Sequence, residues 1–127
     1  QLGLASGIIA ASDQAVFMQI SKHEDVHVVF LRDYIDSLGA TPATKPTFDF
    51  TAGGAFDPFN DYSQFLALAQ AFEDTGVRAY KGQAANLIST PDLLTAALQI
   101  HSVEARHASE VRRLRGLKGF FMDIASR

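Results

Sequence analysis

Glu104-Ala105-Arg106-His107 and Glu24-Asp25-Val26-His27 are the two stretches that decide how this sequence is read. Each is a Glu-x-x-His set inside a long pattern of apolar residues spaced three and four apart. On a helix, positions i and i+3 share one face, about one turn apart. Each motif therefore aims one carboxylate and one imidazole in the same direction. A third segment with the same periodicity carries Glu73 at an equivalent depth. Oxygen and nitrogen donors delivered from three helices toward one core point to a metal site.

Working outward from the motifs gives the helices. Ser12-Asp13 is a good N-cap signal, and Gly39 supplies a left-handed stop. Between them Phe17, Ile20, Glu24, His27, Leu31, Tyr34 or Ile35, and Leu38 form one stripe. The pattern predicts a helix over 12–38, about 26 residues and roughly 39 Å long. A second helix is expected over 61–85, with the stripe Tyr62, Phe65 or Leu66, Ala69, Glu73, Gly76 or Val77, Tyr80 and Ala84. Gly76 inside it costs about 1 kcal/mol against Ala. It suggests close helix approach or room beside Glu73. Thr90-Pro91-Asp92 opens a third helix over 90–115, combining a cap, a proline at the first position and an acid in the first turn. Its stripe is Leu94, Ala97, Ile100, Glu104, His107 or Ala108, Val111 and Leu114. Arg112, Arg113 and Arg115 suit the negative end, and Gly116 is the stop. The short link between the last two helices makes them antiparallel neighbours.

Residues 39–60 cannot continue a helix, because Pro42, Pro46, Gly53, Gly54 and Pro58 interrupt them. Thr47-Phe48-Asp49-Phe50-Thr51 alternates and could be extended. Phe48, Phe50, Phe56 and Phe59 are too apolar for a loose linker, so an ordered connection is expected. Some 20 extended residues span about 65 Å, more than one helix length. The loop can thus return the chain to the end where the preceding helix began, leaving the flanking helices parallel. Residues 1–11 read as the end of an earlier helix and a turn, with Gly7 as its stop. Residues 116–127 form a tail with Phe120, Phe121, Met122 and Ile124, which could dock on the protein or on a partner.

The 127 residues suffice for one domain with a real core. A net charge of -3 calls for neither nucleic acid nor an anionic membrane. With no cysteine, thiolate metal sites, disulfides and cysteine nucleophiles are excluded. No apolar run approaches the ~20 residues of a membrane span. No leader is visible. The start at Gln1 rather than Met reads as a processed, truncated or partly observed chain.

Glu24, His27, Glu73, Glu104 and His107 all fall on stripes that face the core. Buried carboxylates must be neutralised, paired or bound to metal. The arginines and lysines sit mostly at helix ends, and carboxylate with imidazole suits iron, manganese or zinc. One Glu-x-x-His from each of two helices, plus a lone Glu from each of two others, is the di-iron or di-manganese bundle arrangement. Both motifs and one lone Glu are present here. The alternative places Glu24 and Glu104 at solvated stripe edges, with His27 and His107 as ordinary core residues. Its strongest form has Arg78 and Arg106 neutralising the motif carboxylates. His23 and His101 read as solvated groups that could instead assist the motifs. Asp25, Asp74 and Glu110 read as members of exposed pairs. Tyr80 reads as packing. No phosphate loop or nucleophile elbow is present.

Three runs carry a resemblance: Ile20-Ser21-Lys22-His23-Glu24-Asp25-Val26-His27-Val28-Val29-Phe30-Leu31, the block from Ala69 to Gly82 around Glu73, and Ile100-His101-Ser102-Val103-Glu104-Ala105-Arg106-His107-Ala108. They resemble the second, third and fourth helices of bacterial ferritin-like domain proteins, in the branch that includes desiccation-related proteins. The resemblance implies an all-α, ferritin-like four-helix bundle with a long crossover between its second and third helices. It implies that Gln1 to about Ser6 end the first helix, whose Glu lies outside this chain. It assigns metal-ligand roles to Glu24, His27, Glu73, Glu104 and His107, with iron or manganese as the metal. A di-metal protein handling oxygen or peroxide in stress protection is the function expected. A non-catalytic structural or assembly protein is the second expectation. A periplasmic or extracellular address is implied by the leaders of many members, and homo-oligomer or partner contacts are expected through the aromatic loop and tail.

Overall fold

The computed structural model describes residues 7–120. Among them are three α-helices and no strand: α1 (Gln14–Ser37), α2 (Tyr62–Gln83) and α3 (Pro91–Leu114), with a 3₁₀ turn at Ala84–Leu87. The expected end of an earlier helix at residues 1–6 lies outside the described residues, as do Phe121, Met122 and Ile124 of the tail. None of the described helices is long and apolar enough to cross a membrane. The chain divides into two compact units, Gln1–Tyr62 and Ser63–Arg127.

In the first unit, α1 buries Phe17, Ile20 and His27 at the spacing of its stripe. Ile9 and Pro58 are buried with them, whereas Leu38, placed on the stripe by periodicity, is 66% exposed. The reason is position: Leu38 is the C-cap, already leaving the helix. Gly39 has φ +73°. Its N–H donates to Asp36 (2.9 Å) and that of Ala40 to Ile35 (3.2 Å), which ties off the last turn as a Schellman motif. A residue without Cβ adopts this conformation at no steric cost.

The other end of α1 departs from the expected capping. Asp13 is the N-cap residue, but its side chain makes no cap hydrogen bond. Its carboxylate accepts instead from the Tyr62 hydroxyl at 2.6 Å and the Ser12 hydroxyl at 2.7 Å. Those bonds, Tyr62's foremost, hold Asp13 below the usual carboxylate range. Burial and then the bond to Asp13 push the Tyr62 phenol well above its usual value. Tyr62 ends the crossover, so the loop brings the chain back to the end of α1 where that helix began.

The crossover is ordered by hydrogen bonds and not as a strand. Asp49 accepts from the Thr51 hydroxyl (2.6 Å), the Thr51 N–H (2.9 Å) and the Gly53 N–H (2.6 Å). These bonds, the hydroxyl's first, lower its affinity for a proton. The turn they close begins at Asp49 and cuts short the extended run that alternation suggested at 47–51. Phe50 stacks on Phe48 with ring centroids 5.6 Å apart and meets Phe59 edge-on at 6.2 Å. Phe48 and Phe56 keep about half their surface in solvent (51% and 52%), so only part of the aromatic set is packed.

In the second unit, α2 and α3 are antiparallel neighbours. Gln70 meets Arg115, Glu73 meets His107, and Val77 meets His101. As numbering rises on α2, it falls on α3. Leu66 and Val77 of α2 are buried, as are Ala97, Ile100, Ala108 and Val111 of α3. Thr90 precedes Pro91 at the helix start but makes no side-chain cap bond. Proline at the first position and Asp92 in the first turn mark this terminus instead. α3 ends as α1 does: Gly116, φ +72°, donates to Arg113 and Leu117 donates to Arg112, both at 2.9 Å. α2 stops at Gln83, short of the expected residue 85, because the next four residues tighten into the 3₁₀ turn.

Candidate metal centre

The stripe residues of α2 and α3 build the centre of the second unit. Glu104 and His107 are one turn apart on α3 and almost wholly buried, at 4% and 6% exposure. Glu73 enters from α2 with 11% of its side chain exposed. The His107 Nδ1 lies 3.1 Å from Glu73 Oε2 and 3.7 Å from Glu104 Oε2. One donor atom from each of the three residues lies within 4.8 Å of the others.

The donor set fits a divalent cation. Ligand bonds of about 2.1 Å allow two donors on one ion to stand from about 3 Å to about 4.2 Å apart. The two imidazole–carboxylate distances, 3.1 and 3.7 Å, fall inside that range. Two buried carboxylates side by side are stabilised by positive charge between them. His107 supplies one form of it: as N–H, its Nδ1 donates to Glu73. With the proton on Nε2, the same Nδ1 offers a lone pair to an ion. Arg78 and Arg106 do not serve as neutralisers. Both are exposed, and Arg78 donates to Thr75 on its own helix at 3.3 Å.

The family model for the ferritin-like domain matches residues 2–117. The chain belongs to the ferritin-like domain family. No curated protein and no solved structure matches it.

In this ferritin-like domain the first unit holds the other Glu-x-x-His pair. His27 Nδ1 stands 3.5 Å from Glu24 Oε1 across one turn of α1. His27 is buried, while Glu24 keeps 42% of its side chain exposed. His23 lies beside Gln19, Nε2 to Nε2 2.6 Å.

Three neighbours of the ferritin-like centre, His101, Asp74 and Arg112, differ from their sequence reading. His101, read as solvated, is half-buried with its Nδ1 3.1 Å from the Val77 carbonyl, a contact in which the ring N–H donates. Asp74, read as exposed, pairs with Arg112, and their side chains are only 14% and 11% exposed. Arg112 looked like one of several arginines at a helix end. The available signal was its spacing, four residues beyond Ala108 and eight beyond Glu104 on one helix face. Gly76, read as allowing close helix approach or room beside Glu73, allows the close approach: a Cβ there would stand 3.2 Å from Glu104 Cδ on the facing helix.

Proposed function

We propose that this ferritin-like domain holds a di-iron or di-manganese carboxylate centre and handles oxygen or peroxide in stress protection. The observation that carries the reading is the buried Glu73–His107–Glu104 cluster, with its imidazole nitrogen 3.1 and 3.7 Å from the two carboxylates. Glu24 and His27 would supply the second Glu-x-x-His of the proposed set, one such pair serving each metal. Family membership supports this completion, as does the shared helix face of Glu24 and His27. A further carboxylate from the family's first helix would finish the set. Bound iron or manganese supplies one-electron chemistry toward oxygen or peroxide. The chain's own part is to supply donors, to hold the His107 proton on one nitrogen or the other, and to keep water out through Ile100, Ala108 and Val111. We place the protein in the desiccation-related branch, with a periplasmic or extracellular address, on the resemblance of its three motif blocks.

Metal analysis of the native protein tests the reading. One or two iron or manganese ions per chain, lost in Glu104→Ala, are expected. A metal-free protein whose thermal stability is indifferent to chelator would sink it. A second reading, a non-catalytic structural or assembly protein, draws on the exposed Phe48, Phe56 and Phe120. A monomer by light scattering at high concentration would count against it.

A further inference from the structure

Gly76 sits in the interior of α2, where glycine costs about 1 kcal/mol relative to alanine. It lies three residues beyond Glu73, on the side that faces α3. An added Cβ would stand 3.2 Å from Glu104 Cδ, 3.3 Å from Glu104 Oε2 and 3.5 Å from Glu104 Cγ. Oε2 is the same oxygen that lies 3.7 Å from His107 Nδ1. Glu104 is 4% exposed, so its carboxylate lies against α2 and not out in solvent. Gly82, in the same helix, has nothing within 4 Å of its own Cβ position. The close approach is thus a property of position 76 and of the carboxylate opposite it.

We propose that Gly76 is a positioning residue for the metal centre: its missing Cβ is what lets the Glu104 carboxylate lie against α2 at ligating distance from Glu73 and His107. The inference rests on the metal reading above and adds to it the residue that seats one ligand. In the metal-free protein, the end of the Glu104 side chain can swing by a few tenths of an ångström to accept a methyl group at 76. A bound ion fixes that carboxylate and removes the freedom. A methyl group at 76 therefore opposes metal uptake while the metal-free fold gains from the better helix former.

The test compares Gly76→Ala, Gly82→Ala and the unaltered full chain. Each is titrated with Mn²⁺ alone, with affinity read by chelator competition and thermal midpoints recorded with and without the ion. The expected result is Mn²⁺ affinity about 10- to 100-fold weaker in Gly76→Ala, the range seen when residues supporting a ligand are changed. Its metal-free thermal midpoint should be equal to or above the original. Gly82→Ala should bind as the unaltered chain does. Unchanged Mn²⁺ affinity in Gly76→Ala, with uptake intact in the unaltered chain, overturns the proposal alone. An unaltered chain that takes up no Mn²⁺ overturns it together with the metal reading. A metal-free Gly76→Ala protein that loses its helix content would place the clash in the fold itself, and also overturns it.

Discussion

Arg112→Ala should be among the more damaging single substitutions in the second unit. Arg112 is 9% exposed, and its guanidinium donates to Asp74 on the facing helix. Removing the cation strands a carboxylate whose side chain is 14% exposed. Breaking a buried pair from one side costs about 3–5 kcal/mol. Here Gln70 also donates to Asp74, at 3.2 Å, and this retained bond softens the loss. The expected cost is therefore about 3 kcal/mol, the lower end of that range. At a urea dependence of about 2 kcal/mol per molar, the unfolding midpoint would fall by about 1.5 M. The comparison is Arg113→Ala, one residue along. That guanidinium, 69% exposed, lies 3.3 Å from Glu110, itself 38% exposed. Such a pair contributes at most about 1 kcal/mol. Urea unfolding followed by far-ultraviolet circular dichroism separates the two. The double change Asp74→Leu with Arg112→Met should recover much of the loss, since no buried charge is then left alone. If Arg112→Ala and Arg113→Ala shift the midpoint equally, the assignment of Asp74–Arg112 as a costly buried pair is wrong.

Two further perturbations bear on the ends of the helices. Asp13 is held below its ordinary value of 3.8, so its contribution to stability is present above that pH and is lost as pH falls through the lower folded value. Tyr62→Phe should shrink that acid-side loss in a pH series of thermal midpoints; an unchanged acid limb would exclude the bond as its source. The Tyr62 phenol is raised, so the intact protein should also lose stability above about pH 10, and Tyr62→Phe should lose less. Gly116→Ala forces a Cβ into φ +72° and should cost about 1–2 kcal/mol in denaturant unfolding. A neutral or stabilising result would show that the helix end simply refolds around the substitution.

The apolar stripes made most of the fold legible. Phe17 and Ile20 of α1, Leu66 and Val77 of α2, and Ala97, Ile100 and Val111 of α3 are buried at positions that helical periodicity selects. Gly39 and Gly116 end their helices with the left-handed turn that glycine permits. These features follow from local geometry: a 3.6-residue repeat sets the face, and steric freedom sets the stop. Glu104 and His107 were visible for the same reason, as an i, i+3 pair on a buried stripe.

Partners distant in sequence were decided only in three dimensions. Asp13 looked like a cap, yet its carboxylate takes the stronger offer of Tyr62, 49 residues away in sequence. Arg112 and Asp74 looked like surface charges, and the antiparallel packing of α2 on α3 buries both. Periodicity gives the direction of a side chain but not what stands opposite it. The register between two helices supplies that. It brings His107 to 3.1 Å from Glu73, and it sets Glu104 against Gly76 of α2, a position that carries no Cβ.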